Sequence, residues 1–340
     1  MASQVSVVIP ARDEAAEIGG CIAGLVRQSV GAGALEVIVV AAGEDDTGGA
    51  AERAAAGAGF GRFEVVRLER GNKNEALRDG CARATAPIVV LLDADTVLEP
   101  NAIAELARAV GDGPERAVHG AAMPRTDTWV SRYWELNRKL LKDLRFDGTL
   151  SGEVIALRRS TLVSHGLASL FPERRGGKDD LNLGRVLAAR GCGIGYVAAA
   201  RATTLVPWTL AILVTTMLRS RRGAIRLVPM PEAATQAAFS LLLVGSVPAA
   251  ILAARSSVAV ALLCLAPLAV YVGALASRVA ALRRRGLGDH RRELPSFVVL
   301  DLLGRAIKVW AFAERLVGHE PPARYRGGRP DDVRRLRGVA

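Results

Sequence analysis

The stretch Ile88-Val-Val-Leu-Leu-Asp-Ala-Asp-Thr96 puts five apolar residues without alternation directly before two carboxylates one residue apart. An unbroken apolar run of this length fits a strand covered on both faces, and Pro100 shortly afterwards allows a helix to begin. Working outward, Val5 to Pro10, Leu35 to Val40 and Glu64 to Leu68 are further apolar runs. Between them, Ala15 to Arg27 has helical spacing (Ile18, Cys21, Ile22, Leu25), and so does Asn74 to Ala84. Strands alternating with helices predict an α/β class, a doubly wound and mostly parallel sheet.

In such sheets ligands sit beyond the carboxyl ends of the strands. The first strand ends in Pro10, Ala11, Arg12, Asp13 and Glu14, and the fourth in Asp93 and Asp95. Two carboxylates so placed can approach one hard cation, Mg²⁺ or Mn²⁺, with room left for phosphate oxygens. The competing reading is a pair of aspartates capping a strand-to-helix turn. No GxGxxG opens the first helix, so a nicotinamide dinucleotide fold loses support. Gly57, Gly59 and Gly61 precede a strand and read as a loop.

The 340 residues include 45 Lys and Arg against 34 Asp and Glu, and half are apolar, which excludes a disordered chain and a disulfide scaffold. Residues 1 to 200 carry net −2 and the remainder +13. A neutral first part before a basic, apolar second part fits a membrane surface better than nucleic acid. Two runs of 22 residues, Ala233 to Ala254 and Ser256 to Ser277, contain no charge. Each matches the ~20 residues needed to cross a ~30 Å hydrocarbon core. Buried helices of a soluble domain are the alternative.

Arg219, Arg221, Arg222 and Arg226 precede the pair, Arg283, Arg284, Arg285, Arg291 and Arg292 follow it, and Arg255 alone lies between. Both ends are therefore expected in the cytoplasm of a multi-pass cell-membrane protein, and residues 1 to 20 show no secretory signal pattern. The expected organisation is a catalytic domain over 1–205, an interfacial helix and basic segment over 206–232, a hairpin over 233–277, and a basic region over 278–340. Within the last, Leu294 to Val317 reads as an amphipathic helix with Asp301, Arg305 and Lys308 on one face, or as a third spanning helix. The tail Arg324 to Arg337 reads as basic and flexible. Cys21, Cys81, Cys192 and Cys264 lack ligand-type spacing and read as packing residues. His119 and His165 have no paired ligand in the sequence and are left outside the site.

The chain resembles the family 2 inverting glycosyltransferases of the A-type fold. Five blocks carry the likeness: Val5-Ser-Val-Val-Ile-Pro-Ala-Arg-Asp-Glu14, Gly71-Asn-Lys-Asn-Glu-Ala-Leu77, Val89-Val-Leu-Leu-Asp-Ala-Asp-Thr96, Ser151-Gly-Glu-Val-Ile-Ala-Leu-Arg-Arg159 and Lys178-Asp-Asp-Leu-Asn-Leu-Gly-Arg185. The apolar hairpin is similar to that of membrane-attached members. The resemblance implies a nucleotide-sugar donor bound by Pro10, Arg12, Glu14, Asp46, Lys73, Asp93 and Asp95, with the metal on Asp95 and Asp93 and Asp180 as catalytic base. The alternative for Asp179 and Asp180 is favourable charge at a helix N-terminus. Arg219, Arg221 and Arg222 are candidates for diphosphate or lipid headgroup contact.

Two departures from the family pattern bear on specificity. The second strand ends in Ala41, Ala42 and Gly43 where the family has a base-recognising aspartate, and only Asp46 matches a later acidic position. The Gln-x-x-Arg-Trp motif of processive members is missing from Met217-Leu-Arg-Ser-Arg-Arg-Gly-Ala-Ile-Arg226, which favours single transfer. The resulting expectation is transfer from a UDP-sugar to a hydroxyl of a lipid-linked or membrane-proximal glycan acceptor. A polyprenyl-phosphate glycosyltransferase and a non-catalytic membrane scaffold are the alternatives. A nucleotidyltransferase would need a Gly-rich loop after the first strand, and none is present.

Overall fold

The computed structural model describes residues 4–69, 72–111, 114–173 and 179–319. Gly71 and Lys178, each quoted in a motif above, and the Arg324 to Arg337 tail lie outside them. The elements run β1 (Val5–Arg12), α1 (Ile18–Val26), β2 (Leu35–Ala42), α2 (Thr47–Ala55), β3 (Arg62–Leu68), α3 (Lys73–Arg83), β4 (Ile88–Leu92), β5 (Val97–Leu98), α4 (Ala102–Val110) and β6 (Arg116–Pro124). They continue with α5 (Trp129–Arg138), β7 (Val154–Arg158), α6 (Arg159–His165), α7 (Leu167–Leu170), α8 (Asp179–Ala189), β8 (Gly193–Thr204), α9 (Leu210–Leu227), α10 (Met230–Ala253), α11 (Val258–Arg284) and α12 (Leu294–Leu316). The chain forms two compact units, one from the described residues of 1–125, 146–175 and 179–205, the other from those of 126–145 and 206–340.

The first unit is built on an eight-stranded sheet ordered β3-β2-β1-β4-β7-β6-β8-β5. Strands β3, β2, β1 and β4 are parallel. β7 runs antiparallel between β4 and β6, β8 is parallel to β6, and β5 is antiparallel to β8. The sheet is therefore mixed, with only β7 and β5 reversed. Its apolar runs do not alternate because both faces are covered. Val5, Val7 and Ile9 of β1 face a cluster with Ile18, Ile22 and Leu25 of α1. Val8 faces the other way, toward Leu77 and Cys81 of α3.

Close approach fixes one residue of α3. A Cβ on Gly80 would overlap the Val8 side chain and come within 3.2 Å of Val40. A buried polar knot closes the amino ends of the parallel strands: Glu36, 1% exposed, accepts hydrogen bonds from Ser6, the amide of Thr85 and Arg62.

The second unit is helical. Residues 126–145, expected within a 1–205 domain, group here instead, because the buried side of α5 (Val130, Tyr133, Leu136) shares a core with Leu213, Met217, Leu275, Val279, Phe297 and Leu300. Helices α10 and α11 are both long and apolar enough to cross a membrane. They break at residues 254–257, where the Ser257 hydroxyl caps α11 by accepting from the Val260 amide. Ile251, Leu252, Val258, Leu262, Leu263 and Val270 point outward and exposed. On α12 the charges read as one polar face turn toward neighbouring helices. Asp301 accepts from Tyr271 of α11 at 2.6 Å and from Arg305 at 2.7 Å, and Lys308 reaches Gln236 of α10 at 3.4 Å.

Candidate functional site

Three segments converge at the carboxyl ends of the parallel strands. Strand β4 stops where Asp93 begins a tight turn, with the Thr96 amide bonded to the Asp93 carbonyl at 3.0 Å. The antiparallel register of β7, Leu92 opposite Val154, brings residue 153 beside it, and the Asp93 amide donates to the Glu153 carbonyl at 3.0 Å. Helix α3 supplies a cation. Asn72 caps it by accepting from the Glu75 amide at 3.1 Å, which sets Lys73 in the first turn, and its ammonium meets the Asp93 carboxylate at 2.5 Å. The chemistry at this edge is thus set by a helix cap, a strand end and one cross-strand register.

One narrow cleft is lined by Pro10, Lys73, Asp93, Gly152, Asp179 and Asp180 above the apolar floor of Leu91, Leu92, Ile155 and Phe171. Four of the residues expected from sequence therefore share one wall-to-wall space. Asp179 and Asp180 occupy the first turn of α8, and the Asp180 carboxylate accepts from the Leu181 amide at 2.8 Å. Gly152 borders that side, where a Cβ would meet Asp180 at an ordinary contact distance of 3.4 Å.

Asp95 is fixed by two hydroxyls, Thr204 at 3.3 Å and Thr96 at 3.4 Å, themselves linked at 2.9 Å. Arg125 donates to the Asp95 carbonyl and pairs with Glu17 at 2.6 Å. Arg125, Thr204 and Glu153 were not singled out by sequence reasoning. Each lies on or next to a strand paired through long-range register; Glu153 falls inside the quoted Ser151 to Arg159 block without being picked out there, and no local motif marks Arg125 or Thr204.

Crowded acids in a partly closed space resist ionisation. Burial, then repulsion from Asp95, Glu17, Asp93 and Asp45, raises the Glu14 carboxyl to about 8. Burial and the neighbouring Asp93 raise Asp95 to about 7. Asp93 is likewise raised by burial, with Lys73 acting against it. For Lys73 burial acts downward, but attraction from Asp93, Asp179 and Asp180 outweighs it and keeps the ammonium charged. The set of oxygen donors, with more negative charge than one lysine balances, fits a hard divalent cation on Asp93 and Asp95.

Other expected residues go elsewhere. Arg12 is exposed, 3.7 Å from Asp13. Asp46 caps α2 by accepting from the Gly49 amide at 3.1 Å and pairs with Arg53 at 2.9 Å. Its neighbour Asp45 is the acidic residue turned toward the β1 end, accepting from the Ala15 amide at 3.0 Å. Asp13, at φ 56°, accepts from the Glu44 amide at 2.7 Å, and a Cβ on Gly43 (φ 106°) would collide with that carboxylate. The loop after β2 is therefore built on Gly43 and Asp13 in place of an aspartate at 41 or 42.

In the helical unit Arg222 is engaged by Glu314 through two bonds of 2.6 and 2.7 Å, with Trp310 donating to the same carboxylate at 2.9 Å. That guanidinium is committed to holding α9 on α12. Arg221 lies against Gly304 of α12, and Arg219 is exposed. His119 is fully buried and packs against Tyr196 and Phe146 at ring separations of 5.0 and 5.8 Å, the two rings being stacked on each other at 6.3 Å.

A family model described as glycosyltransferase like family 2 matches residues 2–223. The chain belongs to this family. Among curated relatives, an N-acetylglucosaminyltransferase of Mesorhizobium japonicum is 32% identical over 244 residues, covering 65% of this chain and 56% of the relative. One of Rhizobium leguminosarum bv. viciae is 26% identical over 243 residues with the same coverages. The chain spans little more than half the length of these relatives. A solved mannosyltransferase from Pyrobaculum calidifontis, in complex with GDP-Man and Mn²⁺, superimposes with a TM-score of 0.55 at 19% identity, over 91% of this chain and 88% of that one. At that identity the likeness is one of fold, and the sheet of this family 2-like glycosyltransferase is the A-type sheet expected from its motifs.

Proposed function

We propose that the protein transfers a sugar from a nucleotide-sugar donor, a UDP-sugar, to a hydroxyl of a lipid-linked or membrane-proximal glycan by a single inverting displacement. The observation that carries this reading is the shared cleft that joins Pro10, Lys73 and Asp93 to Asp180. Pro10, Glu14 and the loop of Asp45 line the nucleotide side, and the Lys73 ammonium stands beside the diphosphate as a point charge. Asp93 and Asp95 would hold a divalent cation, which when bound would supply positive charge against the leaving diphosphate. Asp180 accepts the proton of the acceptor hydroxyl as its oxygen bonds to the anomeric carbon and the nucleoside diphosphate departs from the opposite face. The backbone bond from Leu181 orients that carboxylate. Transfer of N-acetylglucosamine, the sugar that names the rhizobial relatives, is the first activity to assay.

The exposed apolar faces of α10 and α11 support insertion of that hairpin in a membrane, and a membrane-attached chain is suited to an acceptor that is itself lipid-linked or membrane-proximal. The test is donor binding followed by thermal shift on detergent-purified chain, with and without Mn²⁺, alongside a transfer assay. Metal-dependent stabilisation by one nucleoside diphosphate, and loss of transfer in Asp95→Ala and Asp180→Asn, are expected. Undiminished transfer in both variants refutes the assignment. A phosphate acceptor needs no base, so activity that survives Asp180→Asn alone identifies a lipid phosphate instead of a hydroxyl.

A further inference from the structure

At the amino ends of β6 and β8, the end of the sheet opposite the cleft, three side chains distant in sequence converge. Strands β6 and β8 are parallel, with Arg116 opposite Gly193. The residues just before them, Glu115 and Cys192, are therefore neighbours, and the Gly193 amide donates to the Glu115 carbonyl at 2.9 Å. Strand β7 runs the other way, so α6, which follows it, ends at this same edge with His165. The His165 Nε2 lies 3.2 Å from the Cys192 Sγ and 3.3 Å from Glu115 Oε2, and the thiol lies 3.4 Å from that same oxygen.

We propose that Glu115, His165 and Cys192 form a binding site for a borderline transition-metal ion of the Zn²⁺ class. The three donor atoms make a nearly equilateral triangle. A tetrahedral ion with bonds of about 2.0 to 2.3 Å keeps its ligand atoms roughly 3.3 to 3.7 Å apart, so one face of that tetrahedron fits here with adjustments of a few tenths of an ångström. The donor chemistry selects the ion: a thiolate and an imidazole suit zinc or cobalt and are poor ligands for Mg²⁺.

Each ligand is held from behind. The other carboxylate oxygen, Glu115 Oε1, accepts from the buried Thr161 hydroxyl at 3.4 Å. The Cys192 amide donates to the Leu187 carbonyl at 3.0 Å. The His165 carbonyl accepts from Arg190 at 2.7 Å and Ser169 at 2.6 Å. The Thr161 contact is of the kind that orients a first-sphere ligand, and the backbone contacts fix the segments that carry the other two. Cys192 is buried while the Glu115 side chain is 41% exposed, which leaves the fourth position toward solvent. A bound ion there ties the end of α6 to the starts of β6 and β8, a structural staple away from the transfer chemistry and independent of the donor-site reading.

The competing account is a protonated thiol donating to Glu115 beside His165, which the same distances allow. Cobalt titration of the metal-stripped full chain in detergent separates the two. The proposal expects a thiolate-to-cobalt charge-transfer band in the near ultraviolet and intense tetrahedral ligand-field bands, both bleached by Zn²⁺ and unaffected by Mg²⁺. Cobalt at Asp93 and Asp95 has only oxygen ligands and gives no sulfur band. Cys192→Ser must abolish the charge-transfer band and His165→Gln must weaken the ligand-field bands, while Cys264→Ser leaves both intact. A wild-type chain with no sulfur band, or a band that persists in Cys192→Ser, overturns the site. Zn²⁺ is also expected to raise the thermal midpoint of the stripped wild type and not that of Cys192→Ser, and an equal rise in both contradicts it.

Discussion

Raising the pH from 6 to 8 is expected to tighten Mn²⁺ binding at the donor site about tenfold. An ordinary aspartate is fully ionised over this range, so its metal affinity is flat. Here burial and Asp93 raise Asp95 to about 7, and the metal must displace a proton to use it. The sign follows directly: protons and metal compete for one carboxylate, and affinity grows as the proton leaves. With a pKa near 7, the ionised fraction rises from about one tenth at pH 6 to about nine tenths at pH 8, worth about 1.3 kcal/mol in apparent binding. Glu14, raised to about 8 by burial and its acidic neighbours, adds to the slope in the upper half of the range if it too gives up its proton on binding. Free Mn²⁺ measured by electron paramagnetic resonance, at constant ionic strength and with the detergent-purified chain, reads this directly. Asp95→Asn is expected to weaken binding and to flatten the profile. An affinity constant within twofold from pH 6 to pH 8, or a wild-type slope retained in Asp95→Asn, refutes the reasoning.

Three further outcomes follow from the same geometry. Lys73→Ala removes the charge set against Asp93, and a unit charge ~4 Å from a phosphate at an effective dielectric of ~20 interacts by up to ~4 kcal/mol; kcat/KM for transfer is expected to fall by about two orders of magnitude. Asp180→Asn is expected to lower kcat by roughly 10² to 10⁴ while donor-induced thermal stabilisation is unchanged, and equal loss of both contradicts its role as base. Glu36→Gln weakens the buried knot of Ser6, Thr85 and Arg62 and should cost about 1 to 3 kcal/mol in denaturant unfolding. Burial acts to raise Glu36, but its hydrogen bonds hold it below the usual range, so its contribution is present at neutral pH and is lost as pH falls through that lowered value.

The strand ends and the cleft were legible to different depths. Asp93, Asp95 and Lys73 could be found because each sits a fixed, short distance along the chain from a strong local signal, an apolar run or a helix start. Asp46 could not be separated from Asp45 that way. Both follow β2, and the choice was made by which carboxylate caps α2 and meets Arg53 and which reaches the Ala15 amide. The partners of Asp95, Thr204 and Arg125, come from the far end of the sheet and carry no motif of their own. His165 and Cys192, read singly as structural, face one another only because β7 reverses direction.

By itself the sequence determined the alternation of strand and helix, the acidic ends of β1 and β4, and the two apolar helices of the hairpin. Those depend on local periodicity and on the cost of leaving apolar residues or charges in the wrong solvent. Tertiary structure decided the reversed β7 that brings Glu153 beside Asp93, the placement of α5 among the helices, the pairing of Arg222 with Glu314, and the trio at the amino ends of β6 and β8. These depend on register and packing between segments tens of residues apart, where a shift of one residue turns every side chain of a strand to its other face.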